Sequence, residues 1–230
     1  MGKSMRQARL SQQERSMGIG INYETNSADF LPIIKYDARA GRLSRVDRVN
    51  GENIPTDITS TFKAVFDLEN LETGWIDFES GAPQYVLTRL GSGPKPEQPG
   101  ETYREGVRCL VKLGKDIGGD VREISSIAKA FLRGFDKLHD DYKAAAAENP
   151  GKLPVVELSR AAPHTTGEGA RKSTNYVPEF RIISWVTRPA DLVYKARGSS
   201  TKPTTAPSTP PSTGSTKVAP PPAGDADLGW

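Results

Sequence analysis

Cysteine is almost missing from this chain: its 230 residues include one, Cys109, so no internal disulfide can form. That suits a reducing compartment, and a cytoplasmic setting is expected. Histidine is nearly as scarce, with only His139 and His164. Together with Cys109 they make no closely spaced ligand pair, so no zinc-type site and no cofactor is expected. Long apolar runs are absent too. No window holds the roughly 18 apolar residues that a membrane helix needs, and no membrane partner is expected. The opening "MGKSMRQARL" has no apolar stretch of secretory type, and Arg6 stands where a myristoylation signal wants Ser or Thr. Nor does one charge dominate. The 31 Lys and Arg against 28 Asp and Glu leave a net charge of +3, so contact with a polyanion has to come from local clusters.

Catalytic signatures are missing as well. "LGKDIGGD" lacks the Gly-Lys-Ser/Thr order that wraps a phosphate, "GSGPKPEQPG" opens no helix, and no Gly-x-Ser-x-Gly elbow occurs. No catalytic residue is assigned. Glu69, Glu72, Asp77 and Glu79 leave one enzymatic alternative open, a nuclease with a carboxylate-bound divalent metal. In strands these residues point to different faces, which favours a solvated acidic surface.

What is present is β patterning. "FLPIIKY" and "RLSRVDRV" flank the turn "DARAG" and predict a hairpin. "DITSTFKAVFDLE" places Ile58, Phe62, Ala64, Phe66 and Leu68 at even positions, the period of a half-buried strand. "GWIDFES" and "QYVLTRL" follow as strands, and "GSGPKPEQPGE" as a loop. "YREGVRCLVKLG" alternates again, with Val107, Cys109, Val111 and Leu113 opposite Arg108 and Lys112. One amphipathic helix interrupts. Over residues 120–150, Val121, Ile124, Ile127, Phe131, Phe135, Leu138 and Tyr142 step by three or four, with Asp120 as N-cap and Pro150–Gly151 as the stop. "LPVVELSR" is the next strand, "AAPHTTGEGARKSTN" a polar loop, and "EFRIISWVTR" the last strand, with Trp185 expected beside Arg181.

A groove that follows single-stranded nucleic acid needs cations for phosphates and flat rings for bases. The first hairpin supplies Lys35, Tyr36, Arg39, Arg42, Arg45 and Arg48. Extended geometry puts Arg42 and Arg48 on one face, Arg45 on the other and Arg39 at the turn. Trp75, Arg104, Arg108, Arg181 and Trp185 complete the candidate nucleic-acid-binding set.

From Gly198 onward Pro, Thr and Ser dominate. Such a stretch buries too little apolar surface to offset the ~1–2 kcal/mol per residue lost on ordering a backbone, so it is expected to be disordered. It finishes "GDADLGW", with Asp225, Asp227, Leu228 and Trp230. This resembles the single-stranded-DNA-binding proteins of bacteria and phages, which carry an OB-fold body, a low-complexity linker and an acidic tip closed by an apolar or aromatic residue. The bacterial ending Asp-Asp-Ile-Pro-Phe is departed from: the acids are split, Gly229 replaces the proline and Trp230 the phenylalanine.

The resemblance implies a mainly β, OB-like barrel with one inserted amphipathic helix and a disordered C-terminal tail. The expected organisation is a flexible basic arm at 1–18, the body at 19–196 with a short strand near Ile19–Tyr23, a linker at 197–223 and a partner-binding tip at 224–230. The function it implies is sequence-independent binding of single-stranded DNA in a phage or mobile element. No enzymatic activity is expected, the tip is expected to recruit replication, recombination or repair proteins, and self-association is expected. A virion or assembly protein with a β body and a tethering tail is the alternative from another class.

Overall fold

A computed structural model of the chain describes residues 31–79 and 82–196. The chain divides into two units, 1–200 and 201–230, and the described residues all belong to the first. The basic arm, the short strand near Ile19–Tyr23, the linker and the tip lie outside the described residues.

The described chain is mainly β, with one α-helix. In chain order it runs β1 (Ile33–Asp37), β2 (Arg42–Val49), β3 (Glu52–Asp57), β4 (Lys63–Phe66), β5 (Glu72–Asp77), β6 (Gln84–Arg89), β7 (Arg104–Leu113), β8 (Val121–Ser126), α1 (Lys129–Ala146), β9 (Lys152–Thr166) and β10 (Ser173–Thr187). The strands lie in the order β10-β9-β4-β7-β8-β1-β2-β3, and β5 joins β7 with β6 beyond it. The sheet is mixed, because β1 runs parallel to β8. It is not closed, and β3 and β10 stand at its ends. The turn after β1 nevertheless touches the last hairpin, where the Tyr176 N–H donates to the Ala38 carbonyl at 2.6 Å.

The strand called from the even-position alternation is shorter than expected, yet Ile58, Phe62, Ala64, Phe66 and Leu68 are all buried. One face of the sheet packs on α1 through a cluster of rings. Phe66 stands 6.1 Å from Phe135 and 6.0 Å from Phe180, and Phe131 lies 5.4 Å from Phe135, in tilted arrangements favoured between aromatic quadrupoles. Val111 and Leu113 of β7 and Val156 of β9 fill the space around them. The other face carries a smaller cluster, Leu110, Leu153 and Leu192, so residues after β10 fold back across β7 and β9.

The helix begins later than its apolar spacing suggests. Residues 121–126 are strand β8, paired antiparallel with β7 and parallel with β1, and Asp120 caps nothing helical. The Ala128 N–H instead donates to Ser126 Oγ at 3.1 Å. The misleading step of three arises because β8 is buried on both faces: Arg122, Glu123 and Ile124 are all inaccessible, so no polar face reveals a period of two.

Residues 161–175, expected as a loop, extend β9 and β10 into a long hairpin. Its pairing reaches Ser173 opposite Thr166, with a turn at Gly167–Lys172.

Gly134, inside α1, marks the closest approach of helix and sheet. A Cβ there would sit 2.1 Å from the Pro178 carbonyl oxygen. Gly134→Ala is therefore expected to lower the urea midpoint, although alanine favours an isolated helix by ~1 kcal/mol. An unchanged or raised midpoint would contradict the helix–β10 contact. Burial pushes the Cys109 thiol well up, with the Asp67 charge adding to it. Thiol reagent is thus expected to label Cys109 only after unfolding.

Candidate nucleic-acid interface

The register of β1, β2 and β3 determines which basic side chains share a face. Lys35 lies opposite Ser44, Asp37 opposite Arg42, and Ser44 opposite Asp57. Lys35, Arg42 and Arg48 therefore project from the outward face, while Arg45 lies on the reverse. Arg42 is two-thirds exposed (67%) and meets Asp57 at 3.4 Å, a solvated pair of small net effect. The Asp37 carboxylate accepts the N–H groups of Arg39 (2.8 Å) and Ala40 (3.1 Å) and so holds the turn that projects Arg39. Those hydrogen bonds, that of Ala40 foremost, keep the Asp37 carboxyl below the usual carboxylate range.

Several other arginines form a second class, clamped by carboxylates. Arg108 is buried; its Nε meets Glu123 at 2.7 Å and a second nitrogen meets Glu72. Arg122 is held by Asp47 at 2.5 Å and Asp120 at 3.0 Å, and Arg188 by Asp67 at 2.7 Å and Glu69 at 2.9 Å. Arg45 pairs with Asp47 at 3.1 Å and donates to the Ile117 carbonyl at 2.9 Å. Arg181 pairs with Glu157, and Arg104 donates to the Tyr103 carbonyl at 3.2 Å. By contrast, Lys35, Arg39, Arg48, Arg171 and Lys172 form no ion pair among the described residues. The last two sit at the turn of the β9–β10 arm. Sequence reasoning passed over them because that stretch read as a loop; a basic pair beside the glycines of "GEGARK" is the signal it held.

The expected rings do not join these cations in one trough. Tyr36 is buried, and its hydroxyl donates to the Tyr176 carbonyl at 2.8 Å. Burial, and then the neighbouring Asp37 charge, push that hydroxyl up to about 12. Trp75 donates through Nε1 to the Pro96 carbonyl at 2.8 Å, and the Lys95 ammonium stands 4.5 Å from its ring centre. Trp185 does not share a face with Arg181. A bulge between Ile182 and Ser184 turns the alternation over, and Trp185 stacks on Tyr142 of α1 at 5.8 Å. One ring that the sequence did not single out, Phe78, is placed better. Phe78 is 40% exposed and meets Tyr85 edge-on, 6.3 Å away.

The acidic stretch is divided among partners: Glu69 goes to Arg188, Glu72 to Arg108, and Asp77 accepts the Thr102 hydroxyl at 2.8 Å. Among the described residues no three His, Cys, Asp or Glu side chains come together to hold a metal ion. No helix among them is long and apolar enough to cross a membrane. Comparison with known proteins gives no relative: no family model, no curated protein and no solved structure matches the chain.

Arg108→Met leaves Glu72 and Glu123 buried without their cation and is expected to cost ~3–5 kcal/mol by denaturant unfolding. Arg48→Ala is expected to change stability by less than about 0.5 kcal/mol. Equal costs would refute the division into clamped and free cations.

Proposed function

We propose that the protein binds single-stranded DNA without sequence preference, through the outward face of β1 and β2 and the tip of the β9–β10 arm. The observation that carries this reading is the sorting of cations. Arg108, Arg122 and Arg188 are neutralised by carboxylates, whereas Lys35, Arg39 and Arg48 on one hairpin and Arg171 and Lys172 on another are exposed and form no ion pair among the described residues. Such charges hold phosphates and read no bases.

The strand order supports a finer reading of the fold. β4, β7, β8, β9 and β10 lie in the order β10-β9-β4-β7-β8 with α1 between β8 and β9. Five strands with one helix between the third and fourth match an OB barrel, here left open and enlarged by β1–β3 and the β5–β6 hairpin. OB folds bind oligonucleotides on the face of their second and third strands, flanked by the loop between the fourth and fifth. In this chain β7 and β8 are covered on that side by Leu192, Tyr194 and Tyr85. The neighbouring β1–β2 face is the nearest open surface. Residues 224–230, outside the described residues, are proposed to capture a replication, recombination or repair protein through Asp225, Asp227, Leu228 and Trp230.

Fluorescence anisotropy with labelled oligo-dT and oligo-dA at two salt concentrations tests the reading. Affinity is expected to fall steeply with salt, with a log–log slope of about −0.7 per phosphate contacted. Lys35→Ala combined with Arg48→Ala should weaken both oligomers alike, by roughly tenfold, and flatten that slope by about 1.4. Wild-type affinity in the double variant would remove the β1–β2 face from the interface. Truncation after Ala223 is expected to leave this affinity unchanged or raised while abolishing partner capture; weaker DNA binding would contradict the role given to the tip.

A further inference from the structure

We propose that the pocket between β1, β8 and the β5–β6 hairpin receives one nucleobase of the bound strand. The inference rests on the single-strand reading above and names a subsite within it. The pocket encloses about 530 Å³, a volume that suits a small planar ligand. Phe78 and Ile33 stand at its mouth, 40% and 41% exposed, while Tyr85 and Ser125 line it more deeply. Phe78 and Tyr85 are nearly perpendicular, at 87°. Their rings thus form a corner in which a flat heterocycle can stack on one and meet the edge of the other, both favourable quadrupole geometries.

Hydrogen-bonding groups inside the pocket suit several base edges. The Tyr85 hydroxyl donates to Glu123 at 3.2 Å, so its oxygen faces the Ser125 hydroxyl, 3.4 Å away, as an acceptor. A serine hydroxyl can rotate to donate or accept, and so does not select one base over another. Charge identifies the occupant further. Lys35 lines the pocket and also belongs to the outward face that carries Arg42 and Arg48, so a base in the corner has its phosphate beside the ammonium. An apolar metabolite has no use for that cationic border, whereas a nucleic-acid strand uses both halves.

The test compares full-length wild type, Phe78→Ala and Phe78→Trp on oligo-dT and on an abasic oligomer of equal length, by anisotropy at two salt concentrations. Wild type is expected to bind oligo-dT more tightly than the abasic strand. Phe78→Ala is expected to lose about tenfold on oligo-dT, within the span of one stacked base, to lose nothing on the abasic strand and to keep its salt slope. The indole of Phe78→Trp should be quenched by oligo-dT and not by the abasic oligomer. If Phe78→Ala matches wild type on both strands, or weakens equally on both, the pocket assignment is overturned while the β1–β2 interface stands. If wild type binds neither strand, the single-strand reading itself falls.

Discussion

Arg108 in its cage of two carboxylates and two tyrosines is the interaction on which the arrangement of strands depends. It sits on β7, the strand that pairs with β4, β5 and β8. Its Nε reaches Glu123 of β8 and another nitrogen reaches Glu72 of β5, so one guanidinium ties both neighbours to the central strand. An ion this deeply buried would cost several kcal/mol if unpaired. The remaining charge is spread by further donors: the Tyr194 hydroxyl to Glu72 at 2.9 Å and the Tyr85 hydroxyl to Glu123 at 3.2 Å. Side chains from β5, β6, β7, β8 and the segment after β10 therefore meet at one point. A slip of one residue in any of these strands would send a charged group to the opposite, apolar face.

The same device recurs at two more places. Arg122 links β8 to Asp47 of β2 and donates to the Val46 carbonyl at 3.0 Å, which fastens the first hairpin to the body. Arg188 holds Asp67 and Glu69 after β4 and donates to the Leu192 carbonyl at 3.2 Å, which keeps the segment after β10 over the Leu110 cluster. Each clamp neutralises an arginine by placing it between carboxylates. A basic protein built this way presents less positive field than its arginine count suggests, since Arg108, Arg122 and Arg188 are each matched by carboxylates.

Period-two alternation made most strands legible, because their helix-facing residues are apolar and their other residues polar. β7 was misread on one side only. Val107, Cys109, Val111 and Leu113 do face the ring cluster's side, yet Arg108 looked like a solvent residue and is buried, since the reverse of the sheet is covered by chain distant in sequence. The β9–β10 arm was missed for the opposite reason. Beyond the core both its faces meet solvent, so it reads as polar loop although Arg160 pairs with Glu179 and Thr165 bonds Thr174 at 2.9 Å across the strands. A single-residue bulge, invisible to alternation, inverted Trp185. On β2 the sharing of one face by Arg42 and Arg48, with Arg45 on the reverse, was legible from strand alternation, whereas the burial of Tyr36 beside Leu43 was not.

Covering the outer face of β7 and β8 has a consequence for recognition. A strand bound there would have to displace Leu192 and Tyr194 and strip Glu72 of a hydrogen bond, exposing a buried ion triad to a polyanion that its net negative charge repels. The outward face of β1 and β2 sets no such barrier, since its cations are already solvated and the residues between them, Ser44 and Val46, are compact. The body thus separates two uses of positive charge. Within the sheet, cations meet fixed carboxylates and hold the strands in register. On the hairpins, cations face solvent, and that is the property on which the proposed contact with phosphates depends.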